Sequence, residues 1–388
     1  MNFILNFIMI MDWQAYDCKE IPIIRERGEA NMNRFAFIVH PLDCSDVARK
    51  FNFTRYMPDA LVEQALKLLP PIKISSITGI RSPVAETEGI FVSCLLTARQ
   101  MISLPQPFVL NKIIEAGRLA EKLGAKVLGL GAFTKVIGDA GITVAKHLNI
   151  PVTTGNSYTV ATALEGAKKA AHLMGHDLKR ARVTVVGATG SIGSVCALSL
   201  ARDAKNLTLV GRNEAKLHLL ADRILYETGL AAEVTSNTKA VLKKSDLVVT
   251  VTNTVDTIIN PEDLKAGAVV CDVARPRDVS RRVVEERDDV LVIEGGIVEV
   301  PGDVNFNFNF GFPPKTAYAC MAETMILALE ERQESYTLGR DLTLKQVEEI
   351  QRLGKKHGFR LAGFRSFEKP ISEQEINLIK QRVIIKVS

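Results

Sequence analysis

Apolar and polar positions along the chain fall into two regimes. From residue 182 onward, short apolar runs rich in β-branched residues recur at Val183–Val186, Leu207–Val210, Ala232–Thr235, Leu247–Val251, Ala268–Asp272 and Val290–Ile293. Between the first of them lie stretches with helical spacing, about 191–204 and 214–227. Strands alternating with helices of about 10–15 residues predict a parallel sheet covered on both faces. Six strands in this spacing predict a doubly wound, Rossmann-type domain. Before residue 182 the pattern is mixed. Phe35–Val39 and Lys126–Leu130 read as strands. Asp59–Leu69, Val109–Leu123 and a stretch from Asn156-Ser157 to Met174 read as helices, closed by Pro70-Pro71, Gly124 and Gly175. After the sixth strand, Asn and Phe alternate from Val304 to Phe312, which predicts an extended strand apolar on one face and polar on the other. A helix capped by Thr316 then runs from about Ala317 to Glu334, and a second over about 343–357, before a charged tail.

The expected architecture is α/β in two domains, with a C-terminal doubly wound parallel sheet preceded by a mixed α/β substrate domain. Residues 33–155 make the substrate domain and 156–312 the Rossmann domain. Helices in 313–365 return to complete the first domain, and 366–388 form the tail. Residues 1–32 read as an N-terminal extension, with Met32-Asn33-Arg34 just before the first clean strand. Met1–Met11 is nearly all apolar. A bilayer span needs about 20 such residues, and no basic segment or small-residue cleavage site marks a signal peptide. Peripheral membrane contact stays open.

A chain of 388 residues has room for two cores. With 47% hydrophobic and 24% charged residues it is neither largely disordered nor collagen-like. A net charge of +5 suits acidic partners or phosphorylated ligands and makes no case for nucleic acid. The six cysteines include no C-x-x-C pair and no zinc-ligand spacing, so no metal is expected and the compartment reads as reducing and cytoplasmic. The N-x-[ST] matches at Asn52 and Asn206 are then chance.

The strongest chemical signal is Gly187-Ala188-Thr189-Gly190-Ser191-Ile192-Gly193, directly after a strand and opening a helix. Glycines let the backbone approach a pyrophosphate, and the helix N-terminus offers it N–H donors and partial positive charge. At the end of the next strand an NAD site carries Asp or Glu for the ribose hydroxyl. Here the residues are Gly211-Arg212-Asn213, and Arg212 suits a 2′-phosphate. The expected cofactor is NADP(H). Thr252 and Asn253, after the fourth strand, fall near the nicotinamide or belong to an ordinary capped turn.

Cys320 is the candidate nucleophile. It would lie in the first turn of its helix, where the N-terminus and Lys315 favour thiolate and Glu323 opposes it. If that helix crosses back to the first domain, as in two-domain dehydrogenases, the thiol stands beside the nicotinamide. Cys196 and Cys271 read as buried small hydrophobes, and Cys18, Cys44 and Cys94 lack context. His40, at the end of the first strand, either faces the cleft or is a surface or structural histidine, the second reading being favoured. Phe306–Phe312 suits either an acyl tunnel or packing on the sheet. Lys179, Arg180, Arg182, Arg275, Arg277, Arg281 and Arg282 are either a face for an acidic partner or ordinary solvated charge.

Five segments occur together in this order: Leu130-Gly-Ala-Phe-Thr-Lys-Val-Ile137, Thr153-Thr-Gly-Asn-Ser-Tyr-Thr159, the glycine turn Val185–Gly193, Gly295-Gly-Ile-Val-Glu299 and Ala319-Cys-Met-Ala-Glu323. Over about Asn33–Arg365 the chain resembles the long-chain acyl-[acyl-carrier-protein] reductases of cyanobacteria and their bacterial relatives. The resemblance implies NADPH-dependent reduction of a long-chain acyl thioester, on carrier protein or coenzyme A, to a fatty aldehyde through an acyl-Cys320 intermediate. It leaves Thr154 and Asn156 as secondary oxyanion or substrate candidates beside the helix N–H groups. The family's Gly-Asn-Thr-His reads Gly155-Asn-Ser-Tyr158, so no role of that histidine carries over. Two readings stay open: an NADP-dependent dehydrogenase of the shikimate, amino-acid or methylene-pterin type without a covalent step, and a non-catalytic NADPH-responsive binding protein.

Overall fold

The computed structural model describes residues 33–252, 254, 257–274, 277–367 and 369–387. The extension 1–32, Cys18, Asn253 and Arg275 therefore lie outside the described residues. The chain divides into two compact units. The first takes in residues 33–155, Pro301–Lys315 and Glu323–Gly339; the second takes in Asn156–Val300, Thr316–Ala322 and Arg340 onward.

In the first unit, strands β1 (Arg34–Val39), β2 (Lys73–Arg81), β3 (Glu86–Ser93), β4 (Val127–Leu130) and β5 (Val152–Thr153) join the strand Gly302–Asn305 in one mixed sheet. Its order is Gly302–Asn305, β2, β3, β1, β4, β5. β1 is parallel to β3 and β4, whereas β2 and β3 form an antiparallel hairpin. Helix α1 (Gln106–Lys122) covers one face of the sheet. It buries Val109, Ile113, Ala116 and Ala120, which share a stripe, against Ile38, Val92, Leu128 and Leu130. Pro107 fits its first turn, and Gly124 (φ +86°) lies just past its end.

The second unit holds β6 (Arg182–Val186), β7 (Asn206–Val210), β8 (Glu233–Thr235), β9 (Leu247–Thr250), β10 (Val269–Asp272) and β11 (Leu291–Glu294). Their order is β11-β10-β9-β6-β7-β8, and every pairing is parallel. This is the expected doubly wound sheet, with the strand order reversing between β6 and β9. Every residue of β9 and β10 is buried, as a sheet covered on both faces requires. Helices α2 (Asn156–Leu173), α3 (Ser191–Leu200) and α4 (Glu214–Thr228) belong to this unit. A small antiparallel sheet follows, with β12 (Ile297–Glu299) between β13 (Thr316–Tyr318) and β14 (Arg360–Leu361).

Three expectations are corrected. Thr316 does not cap a helix: it pairs with Glu299 in β13, and the helix α5 (Ala319–Leu329) starts three residues later and ends sooner. Glu331, at φ +52°, stands beyond its end. The Asn-Phe segment is a strand only to Asn305. Asn307 turns to φ +48°, and Asn305 and Asn309 side chains accept from the Asn307 and Gly311 N–H groups, both at 2.9 Å. The alternation survives without the strand: Phe306 is buried, Phe308, Phe310 and Phe312 are half-buried, and the asparagines are exposed. Phe306, Phe308 and Phe310 gather round Phe91, with ring centroids 5.8–6.1 Å from it. The charged tail is structured. Phe364–Ser366 pairs with Lys369–Ile371, and Glu373–Val387 is a helix. Helix α6 (Leu344–His357) forms where expected, between a Thr343–Gln346 capping box and Gly358 at φ +85°.

Candidate active site

The glycine turn is built by steric demand. Gly187 has φ +81°, and a Cβ there would stand 3.0 Å from the Val251 carbonyl oxygen. A Cβ on Gly193 would stand 2.2 Å from the Gly187 oxygen, so turn and helix touch only because both lack side chains. Gly190 differs: a Cβ there would meet nothing nearer than 3.4 Å. It leaves the open side on which a phosphate can reach the backbone. The Gly187 and Ala188 N–H groups both donate to the Val210 carbonyl, at 2.9 and 3.1 Å, which ties the turn to β7. Gly190 caps α3 without a side chain, so none competes for the first-turn N–H groups. Beside them the buried Ser191 hydroxyl has no hydrogen-bond partner. An orphaned donor at a helix N-terminus, next to open backbone, fits a diphosphate. Thr189 flanks Gly211 at the end of β7, where a Cβ would lie 3.5 Å from its side chain. Ile192 is half-buried.

Arg212 is exposed at the end of β7, and none of Gly211, Arg212 and Asn213 is acidic. The residues present fit NADP(H), whose 2′-phosphate a guanidinium can grip in two-point fashion. The Asn213 side chain caps α4, accepting from the Lys216 N–H at 3.0 Å. Thr252 is turned inward. Its N–H donates to Asp278 Oδ2 at 2.9 Å, and its hydroxyl donates to Asp278 Oδ1.

Cys320 is the second residue of α5 and is half-buried. The start of that helix is pinned where the Ala319 N–H donates to the Gly296 carbonyl at 2.6 Å. Gly296 has φ +88°, and a Cβ on it would lie 3.5 Å from the Ala319 methyl. The Gly295-Gly296 link between β11 and β12 therefore meets the start of the Cys320 helix. The Lys315 ammonium pairs with Asp303 at 2.8 Å. The wholly buried Glu323 accepts hydrogen bonds from the Thr153 and Thr337 hydroxyls, the latter at 2.6 Å.

Thr154 is buried, and its hydroxyl donates to the Thr337 carbonyl at 2.7 Å. It belongs to the first unit, whereas Asn156, the first residue of α2, belongs to the second. Tyr158, in the histidine's place, is buried; its hydroxyl fills the space that a Gly354 Cβ would need, 2.6 Å away, and burial raises its pKa. Both ring nitrogens of His40 meet the main chain: Nε2 accepts from the Phe133 N–H at 3.3 Å, and Nδ1 lies 3.0 Å from the Pro41 carbonyl. Of the basic residues, Arg277 pairs with Glu294 and Arg282 with Glu286, while Arg277 and Arg281 both lie over the Phe367 ring. Asp278 is the polar residue that the sequence did not mark. It sits in an irregular loop after β10, and its partners are 24–28 residues away. Among the described residues no His, Cys, Asp and Glu group has the makings of a metal site, and no helix is long and apolar enough to cross a membrane.

A profile of the shikimate/quinate 5-dehydrogenase family matches residues 168–294. The chain is 30% identical over 313 residues to aminotransferase PigE of a Serratia species, covering 80% of this chain and 36% of that protein. It is 28% identical over 332 residues to the long-chain acyl-[acyl-carrier-protein] reductase of Synechococcus elongatus, covering 81% of this chain and 94% of that protein. Among solved structures, L-tryptophan dehydrogenase from Nostoc punctiforme superposes with a TM-score of 0.39 at 11% identity, over 92% of this chain and 89% of that one. The chain thus spans about a third of the length of PigE and nearly all of the reductase.

Proposed function

We propose that this chain, a homologue of the long-chain acyl-[acyl-carrier-protein] reductases, is an NADPH-dependent reductase that converts an acyl thioester to an aldehyde through an acyl-cysteine at Cys320. The observation that carries the proposal is a half-buried thiol in the first turn of α5, a helix pinned by Gly296 just past the last strand of the nucleotide sheet.

The Cys320 thiolate sulfur bonds to the thioester carbonyl carbon. The bond from that carbon to the carrier sulfur breaks, and the carrier thiolate takes up a proton. When bound, NADPH supplies the hydride that converts the acyl group to the aldehyde level. The sulfur–carbon bond at Cys320 then breaks, releasing the aldehyde and restoring the thiolate, with one proton consumed overall. The Ala319 N–H is taken by the Gly296 carbonyl; the N–H groups that follow it in the first turn have no acceptor inside a helix, and they favour both the thiolate and the oxyanion that forms beside it. The Thr154 hydroxyl is committed to the Thr337 carbonyl, and we assign the oxyanion to the helix instead.

The family match over 168–294 favours a second reading, a dehydrogenase that uses the same cofactor site without a covalent step. One experiment separates them. Protein, NADPH and a C16 acyl thioester, on carrier protein or coenzyme A, are mixed, and aldehyde and acylated peptide are followed by mass spectrometry. We expect acylation at Cys320 and a fall in aldehyde formation of about 10³-fold or more in Cys320→Ser, with NADPH binding intact. Wild-type aldehyde output from that variant would eliminate the covalent route.

A further inference from the structure

We infer that Asp278 is a positioning residue for the second half of the dinucleotide site, holding the segment after β9 against the phosphate turn; this deepens the NADPH reading and rests on it. Asp278 is wholly buried. Its Oδ2 accepts from the Thr250 hydroxyl and, at 2.9 Å, from the Thr252 N–H. Its Oδ1 accepts from the Thr252 hydroxyl and, at 3.3 Å, from the Thr254 hydroxyl. Thr250 ends β9, and the other three donors come from the segment just after it.

The carboxylate is itself held fast. The Ile258 and Ile259 N–H groups donate to the main-chain carbonyl of Asp278 at 2.8 and 3.1 Å, and the Val279 N–H donates to Asp272 Oδ2 at 3.1 Å. The segment it grips runs straight into the cofactor turn. A Cβ on Gly187 would lie 3.0 Å from the Val251 oxygen and 3.1 Å from the Thr252 methyl. Asp278, Thr252 and Gly187 are thus successive links of one packed chain.

Burying a carboxylate is unfavourable unless every lone pair is used. Here the groups that satisfy it form the lip of the sheet between β9 and β6, where the strand order reverses. A dinucleotide crosses a doubly wound sheet at that point, with one nucleotide half on each side. Arg212, after β7, serves the adenylate half. The β9 lip serves the other half, which carries the nicotinamide. Asp278 touches neither and acts through Thr252.

The test uses the full chain and two fluorescence titrations, one with NADPH and one with 2′,5′-ADP, which has the adenylate half alone. Asp278→Asn places an amide where two donors already point. Thr252→Val removes one hydroxyl at nearly constant shape. Both raise the Kd for NADPH by about 10-fold or more, since a hydrogen bond to a charged group is lost. Both leave 2′,5′-ADP binding within about 2-fold. Thr252→Ser, which restores the hydroxyl, restores the affinity for NADPH. Should Asp278→Asn not fold, Thr252→Val carries the test. Unchanged NADPH affinity in Thr252→Val overturns the assignment, and so does an equal loss for 2′,5′-ADP, which marks general damage to the fold. A wild-type protein that binds 2′,5′-ADP and not NADPH overturns it too, whereas one that binds neither defeats the cofactor reading itself.

Discussion

Three thiols other than Cys320 are held in the protonated form by their surroundings. Burial pushes Cys94 and Cys196 up to about 12. Burial, reinforced by Asp59 and Glu63, pushes Cys44 up to about 11. At pH 7.5 these three are thiols and poor nucleophiles. Iodoacetamide at that pH is expected to spare them and to alkylate Cys320, with aldehyde formation lost in step with that one peptide. Activity that survives complete alkylation of Cys320 would refute the nucleophile assignment. His40 makes a separate prediction. Burial lowers its pKa, and the ring accepts from the Phe133 N–H, so a proton on Nε2 would meet a donor. The unfolded imidazole titrates near ~6.5. Below that pH the unfolded chain binds the proton first, so stability is complete above ~6.5 and is lost as pH falls through the lower folded value. Melting temperature is expected to drop on going from pH 8 to pH 5.5, and His40→Gln is expected to flatten that drop.

Elements meet where side chains are absent. Gly129 in β4 packs on Thr324 and Phe37; a Cβ there would stand 2.1 Å from the Thr324 hydroxyl and 2.4 Å from the Phe37 ring. Gly129→Ala forces overpacking and should cost about 1–3 kcal/mol. Gly166 lies inside α2, where a Cβ would find ordinary contacts at 3.8 Å. Gly166→Ala should add about 0.5–1 kcal/mol, since the helix sheds a flexible residue. Urea midpoints of the pair are expected to move in opposite directions; a shared direction would mean that space does not decide these positions. The same contrast explains what could be read beforehand. Strands β9, β10 and β11 were legible because a sheet buried on both faces demands unbroken apolar runs. The glycine turn was legible because its close approaches exclude side chains. The start of α5 was not, since Thr316 follows a pairing with Glu299 that local spacing cannot reveal. Nor was the curl at Asn307, where ring packing on Phe91 outweighs alternation. Asp278 escaped notice because only tertiary structure brings its threonines to it.

At the scale of the whole molecule, two units carry separate apolar cores. One includes Ile38, Val92, Ile113 and Leu128; the other includes Val186, Val248, Val270 and Val292. The glycine turn, Arg212 and Asp278 all belong to the second unit. A ligand that binds only the folded form stabilises what it binds, by about 2.7 kcal/mol at 100 times its Kd. For a unit of this size that is a rise of roughly 5–10 °C. Calorimetry with saturating NADP+ is therefore expected to move the transition of the second unit upward and leave that of the first in place. The same concentration of NAD+ should do much less, because Arg212 has no 2′-phosphate to grip. In Arg212→Ala the difference between the two cofactors should nearly vanish, while 2′,5′-ADP ceases to stabilise. Equal shifts from NAD+ and NADP+ in the wild-type protein would remove the 2′-phosphate from the account. A single transition that rises as one would show that the two cores melt together, and that the cofactor's free energy is shared by both.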